Sequence, residues 1–241
     1  MPKLPFDICY EDDHIVAIVK PSGMLTLPDR HDAELQSIRG ILEKQYGKIF
    51  IVHRLDKDTS GIIVLAKDEA THKYLSMLFE GRDIEKLYLG LIIGKPIEPI
   101  GNINAPIAES TIKAGVMLIN KRGKMSSTDY KIIQCYRSYS LVEFRIHTGR
   151  THQIRVHCKH MGHPILCDPL YGDGKPILLS AIKKKFKLSK HEEEEKPLLN
   201  RLALHAWKLS FKHMDGKLLV LEAPLPKDMQ ATIKQLEKNA D

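Results

Sequence analysis

The sequence has no long apolar run. Stretches such as "IIVLA" (62–66) are strand-sized, well short of the ~20 residues that cross a bilayer as a helix. The opening "MPKLPFDICYEDD" lacks the basic-then-apolar pattern of a signal peptide, so a cytoplasmic protein with no membrane partner is expected. Cysteine is scarce. Cys9, Cys135, Cys158 and Cys167 are scattered with no C-x-x-C pair, which points to reduced packing residues rather than a disulfide framework. No internal repeat is present. Acids are also short: 37 Lys and Arg stand against 30 Asp and Glu, a net charge of +7. The shortage is local. Residues 121–160 hold nine basic residues (Lys121, Arg122, Lys124, Lys131, Arg137, Arg145, Arg150, Arg155, Lys159) and two acids, Asp129 and Glu143. Such a concentration is the footprint of a polyanion binder, with a solvated basic face as the plain alternative.

What remains is the pattern of a globular protein. A chain of 241 residues can bury a sizeable core, and one domain over 1–241 is expected. "IVAIVKPSG" (15–23) reads as a buried strand stopped by Pro21 and Gly23. Leu35, Ile38, Ile41 and Leu42 fall at helical spacing within 34–47. Asp68 is a candidate cap for a helix over 68–82. "IFIV" and "IIVLA", "KLYLGLIIG" (86–94), "GVMLIN", "STDYKIIQCY" and "LVEFRIHTG" (141–149) read as strands, the last with Val142, Phe144 and Ile146 on one face. Residues 151–162 return to helical spacing, with Thr151 as a cap. Asp-Gly in "KHMDGK" marks a hairpin, and 227–238 a short helix. Residues 179–197, with blocks of like charge, read as an exposed insertion. Strand runs broken by isolated helices predict an α+β fold with a mostly antiparallel sheet.

Three stretches carry candidate chemistry. "HRLDKDTSG" (53–61) packs a histidine, an arginine, two carboxylates and two hydroxyls between two strands. Asp56 there is a candidate nucleophile, base or ligand, and pairing with Arg54 or capping the turn is the plain reading. "HTGRTHQIRVHCKHMGH" (147–163) holds five of the 12 histidines. It matches neither H-E-x-x-H nor the zinc-deaminase pattern, and a metal hydrolase is the weaker reading. A Gly149–Arg150–Thr151 turn leading into a helix start suits a phosphate cradle, with Arg155 one turn on. In "EKLYLG" (85–90), Leu87, Leu89 and Leu91 face one way and Tyr88 the other, beside Gly90. Tyr88 can stack on a base or accept a proton, or simply sit in the sheet.

Taken in order, "HRLDKDTSG", "KLYLG", "HTGRTHQIRVH" and "GHPILCDPLYG" closely resemble the RluA-type pseudouridine synthases. "KPSGMLT" and "LHAWKLSF…APLP" also resemble that family, so the likeness runs from about Tyr10 to Pro226. The resemblance implies the pseudouridine synthase fold with an RNA-binding cleft. It also implies an isomerase that turns chosen uridines of structured RNA into pseudouridine with no cofactor and no metal. By resemblance, Asp56 is catalytic, Tyr88 is the proton acceptor near the base, Arg155 pairs with the aspartate, and Arg54 fills the space left by the extruded nucleotide. RNA contacts are expected from Arg150, Thr151, His152 and Gln153, and from Lys121, Arg122 and Lys124. Many relatives carry an N-terminal S4-type domain. Here the core pattern starts at once, so RNA selection is expected from a monomeric catalytic domain, with tRNA and ribosomal RNA both open. A non-catalytic RNA-binding protein on the same scaffold is the rival.

Overall fold

The computed structural model describes residues 4–29, 32, 34–188 and 194–239. In chain order its elements are β1 (Asp7–Glu11), β2 (Ile15–Lys20), α1 (Ile38–Tyr46), β3 (Phe50–Ile51), β4 (Ser60–Ala66), α2 (Glu69–Gly81) and β5 (Glu85–Ile93). Then follow β6 (Ile100–Asn104), β7 (Ile107–Glu109), β8 (Met117–Ile119), β9 (Ser127–Cys135), β10 (Tyr139–Ile146) and α3 (Gln153–His160). The chain closes with α4 (Leu179–Ile182), β11 (Leu204–Lys212), β12 (Leu218–Glu222) and α5 (Lys227–Lys238). It divides into two compact units: 1–88 with 205–224, and 89–204 with 225–241.

In the first unit the strand order is β1-β2-β4-β11, with β12 on β11 and β3 on β4. All of these pairings are antiparallel except β4 with β11, which run parallel. Its core joins Ile15, Ala17, Ile62 and Val64 to Leu75 of α2 and to Leu209, Phe211 and Leu221. Strand β4 is buried along its whole length, which is why "IIVLA" carries no polar alternation. The Asp68 carboxylate caps α2 by accepting the Thr71 N–H at 2.8 Å. α1 starts later than its periodicity suggests. Ser37 caps it through the Gly40 N–H, Ile38 and Leu42 are buried, and Leu35 lies outside the helix, exposed.

In the second unit, which β5 enters at Leu89, the order is β5-β10-β9-β6, and β7 and β8 form a separate antiparallel pair. β9 pairs antiparallel with both β10 and β6. Val142, Phe144 and Ile146 are buried as their alternation predicts, and α5 matches its expected span. Strand β5 alternates as expected over Glu85–Gly90, with the face of Tyr88 the more buried one. Lys86, Tyr88 and Gly90 are more buried than Leu87 and Leu89, and a Cβ at Gly90 would lie 3.1 Å from the Phe144 ring. α3 begins at Gln153, with His152 and not Thr151 as its N-cap residue, and no side chain caps it. Within 179–197, residues 179–182 form α4 with Ile182 buried, while Lys183, Lys184, Lys185 and Lys187 are exposed. Residues 189–193 of that expected insertion lie outside the described residues.

Candidate active site

The β3–β4 loop that carries Asp56 is clamped from both sides. Its carbonyls take most of the bonds. Lys20, fully buried, donates its ammonium to the carbonyls of Pro21 (2.9 Å), Met24 (2.7 Å) and Lys57 (2.7 Å). Three donors meeting three carbonyls satisfies an ammonium that burial would otherwise penalise. The Gly23 N–H also donates to Lys57 O at 2.9 Å, the Ser22 hydroxyl to Asp58 O at 2.6 Å, and the Thr26 hydroxyl to Leu55 O at 3.0 Å. So the "KPSGMLT" stretch holds the backbone on either side of Asp56. The Thr59 N–H closes the turn onto Asp56 O at 3.2 Å.

The far end of the loop is fixed to β11. His205, fully buried, sits with Nε2 3.3 Å from Ala223 O and Nδ1 2.9 Å from the Ser60 hydroxyl. A carbonyl only accepts, so Nε2 carries the proton and Ser60 donates to Nδ1. Gly61, at φ 124°, passes so close to β11 that a Cβ would lie 2.2 Å from Ala206 O. The parallel β4–β11 contact therefore depends on glycine at 61.

Within this frame Asp56 is half-buried and Arg54 exposed. Tyr88 is 9% exposed, and burial, followed by the negative charge of Asp56, holds its phenol well above the ordinary tyrosine range. The first unit thus brings the expected catalytic carboxylate and the expected tyrosine into one electrostatic neighbourhood, with the tyrosine neutral. His53 serves the scaffold. Its Nε2 accepts the Val64 N–H at 3.0 Å, and its ring stacks on Phe79 at 4.5 Å. Burial, and then Lys86, push its pKa down to about 3.

In the second unit Arg155 is 2% exposed and forms a two-pronged ion pair with Asp168, Nε to Oδ2 and Nη2 to Oδ1, both at 2.8 Å. Asp168 Oδ1 also accepts the N–H groups of Leu170 and Tyr171. The "CDPLYG" turn therefore exists in part to fix one guanidinium. Asp168 had no assigned role in the sequence reading; an Asp-Pro beside the Arg155 helix was the available signal.

Gln153, expected among the RNA contacts, is buried within the fold. It is 3% exposed. Its Oε1 accepts from the Thr148 hydroxyl and the Arg150 N–H, and its Nε2 donates to Ser127 O and the Thr128 hydroxyl. All four hydrogen-bonding positions of its amide are used. Gln153 thereby takes one of the amides that a phosphate cradle over Gly149–Thr151 would offer, leaving the half-buried Arg150, Thr151 and His152 as the surface of this stretch.

The histidines of 147–163 disperse. His157 is fully buried against Thr128, Ser126 and the Ala105 carbonyl, and burial lowers its pKa. His147 pairs with Asp129 at 2.6 Å, and His163 reaches Ile93 O. Among the described residues no group of three or more His, Cys, Asp or Glu is placed to hold a metal ion. Lys121, Arg122 and Lys124 are exposed on one turn. That turn is tied to β7 by Lys124 and Ile107 exchanging backbone bonds, and Gly123 permits the approach, since a Cβ would meet Ile107 at 2.5 Å. No helix among the described residues is long and apolar enough to cross a membrane.

Comparison with known proteins places the whole chain in a family. A family model described as RNA pseudouridylate synthase matches residues 14–160. The "Ribosomal large subunit pseudouridine synthase D" of Zymomonas mobilis subsp. mobilis is 35% identical over 97% of this chain and 73% of its own length. The protein of the same description from Nitrosomonas europaea is 34% identical, over 97% of this chain and 66% of its own length. Among solved structures, "Human RNA Pseudouridylate Synthase Domain Containing 4" superposes with a TM-score of 0.73 at 26% identity, covering 95% of this chain and 92% of that one. With the family pattern matched over more than half its length and relatives 34% to 35% identical over 97% of it, this chain belongs to the RNA pseudouridylate synthase family.

Proposed function

We propose that this protein isomerises specific uridines of ribosomal RNA to pseudouridine, with Asp56 as the catalytic residue. The observation that carries the reading is Asp56 on a loop clamped at both flanking carbonyls, with the Tyr88 phenol inside its field. In the reaction the N1–C1′ bond of the uridine breaks, the uracil turns, C5 bonds to C1′, and the C5 proton leaves as N1 gains one. A carboxylate held against the ribose attacks C1′ or stabilises the charge developing there, as in glycoside chemistry. Tyr88 enters as a neutral phenol, so its oxygen takes up the C5 proton only as it hands its own proton on. Arg155 is the residue that the family likeness assigns to steadying the ionised aspartate, and Asp168 fixes its guanidinium plane. Arg54 takes the role of filling the vacancy left by the flipped nucleotide, whose extrusion costs a few kcal/mol.

Ribosomal RNA is preferred to tRNA because both relatives described above act, by their names, on the large ribosomal subunit. The exposed Lys121, Arg122 and Lys124, with Arg150, supply phosphate contacts. The protein is placed in the cytoplasm as a monomer needing no metal. The test is tritium release from C5-labelled uridine in large-subunit rRNA and tRNA transcripts. Release from rRNA by the wild type and its loss in Asp56→Asn are expected. Undiminished release by Asp56→Asn removes the assignment, and release from tRNA alone reverses the choice of target.

A further inference from the structure

In the second unit the chain leaves at Ile177 and returns at Leu199 through one antiparallel bridge. The Ile177 N–H donates to Leu199 O at 2.7 Å and the Leu198 N–H to Ile177 O at 2.8 Å. Just past the bridge, α4 lies against α5 and buries Ile182. Its turn closes with the Lys183 N–H donating to Leu179 O at 2.8 Å. At Lys183 the backbone becomes extended, and Lys183, Lys184, Lys185 and Lys187 are all exposed. Phe186, within the run, is half-buried. Among the described residues none of the four lysines makes an ion pair. Elsewhere the protein sets lysines beside acids, as with Lys67 and Glu11 or Lys208 and Glu222. The acid that reaches α4 is engaged differently: Glu195 Oε1 accepts the Ser180 N–H at 2.7 Å.

We propose that Lys183, Lys184, Lys185 and Lys187 form a further phosphate-binding surface for the substrate RNA, in addition to the basic turn at 121–124. This rests on the reading of the protein as an RNA-modifying enzyme, and it gives a task to a segment that the reaction motifs do not use. Four like charges within five residues repel one another. Five residues span at most ~18 Å when extended, so the ammoniums stay crowded in any conformation. A phosphate backbone matches that crowding, because its own charges are closely spaced and it releases counterions on binding. Lysine suits the task as a compact point charge on a flexible stem, so the surface adds affinity without reading sequence. The bridge at Ile177 and the buried Ile182 hold the start of the run in place, which limits the freedom lost when RNA binds.

The experiment uses the full chain and a large-subunit rRNA transcript, with Kd measured over a salt series. The fourfold variant Lys183→Gln, Lys184→Gln, Lys185→Gln, Lys187→Gln is expected to lower the slope of log Kd against log salt by about three, since each phosphate contact contributes about 0.7–0.9. Near about 0.1 M salt it is expected to bind at least about tenfold more weakly. Arginine at the same four positions keeps the charge and is expected to keep the slope. The pair Lys184→Gln, Lys185→Gln is expected to show about half the drop, and it carries the test if the fourfold variant does not fold. A control removes the same charge through glutamine at Lys73, Lys95, Lys113 and Lys131, which are exposed elsewhere, and its slope is expected to change by less than about one. An unchanged slope in the glutamine variants overturns the proposal. So does an equal drop in the control, which assigns the effect to overall charge. Loss of binding to phosphatidylserine vesicles with the RNA slope kept also overturns it, by assigning the lysines to an anionic lipid surface. A wild type that binds rRNA through these lysines yet releases no tritium supports this inference and overturns only the isomerase reading. Tritium release with a slope indifferent to the lysines does the reverse.

Discussion

The buried ammonium of Lys20 donates at 2.7 Å to the carbonyl of Lys57, the residue that follows Asp56. A strand end 37 residues earlier in the chain thereby sets where the loop that carries Asp56 runs. Lys20→Met keeps the length and removes the donors, so the carbonyls of Pro21, Met24 and Lys57 lose a shared partner. The Lys57 carbonyl keeps the Gly23 N–H, while leaving a carbonyl such as that of Pro21 or Met24 unsatisfied costs about 1–3 kcal/mol. The variant is expected to unfold at lower urea. At saturating RNA its turnover falls further than its affinity, since the loop and not the RNA surface has moved. Turnover equal to wild type in the folded variant refutes the clamp.

The same bond shows what the sequence can and cannot tell. Local chemistry was legible: the Asp68 cap, the Asp-Gly hairpin between β11 and β12, the alternation of β10 and the span of α5 follow from short-range rules. The motifs singled out Asp56 and Tyr88, and the first unit puts the Tyr88 phenol within the field of Asp56. Lys20 was not, because a lysine ending an apolar run looks like a residue reaching for water. Asp168 and His205 were missed for the same reason: each acts through a partner 13 or 145 residues away. The burial of Gln153 was not legible, because an amide that faces RNA and one that faces its own backbone have the same sequence. Thr151 was misread as a cap because the left-handed backbone at His152, which decides where α3 begins, leaves no local signal.

Tyr88 tests the proton path. Its pKa is held above the ordinary tyrosine value by burial and by Asp56, so the phenol stays neutral beyond pH ~10. Turnover is expected to show no rising limb from tyrosinate between about pH 8 and 10. Tyr88→Phe is expected to bind rRNA with near wild-type affinity and to lose at least about a hundredfold in turnover, the range of a general acid–base group. A rising alkaline limb that vanishes in Tyr88→Phe contradicts the neutral-phenol role.

The Arg155–Asp168 pair separates stability from chemistry. Asp168→Ala leaves a guanidinium buried without its carboxylate, an error worth about 3–5 kcal/mol, and a lower melting temperature is expected. Replacing both partners, Arg155→Met with Asp168→Leu, removes the stranded charge and is expected to recover most of that loss, since apolar substitutes for buried pairs are often neutral. Tritium release is expected to stay absent in the double variant. Activity in that variant would mean Arg155 serves the fold alone.

His53 gives the acid limit of the first unit. Its pKa falls from the ordinary value of ~6.5 to about 3, because burial and Lys86 oppose a charge and Nε2 is needed as the acceptor for the Val64 N–H. The unfolded chain takes up a proton at this residue below pH ~6.5, and the folded chain does not until near pH 3. The stability contributed is therefore complete above the unfolded pKa and is lost as pH falls toward the folded one. His53→Gln keeps an acceptor and removes the titration. Between about pH 6 and 4 its unfolding free energy is expected to fall less steeply with acid than that of the wild type, by about one proton in slope. Parallel curves for the two proteins would place the acid-sensitive group elsewhere.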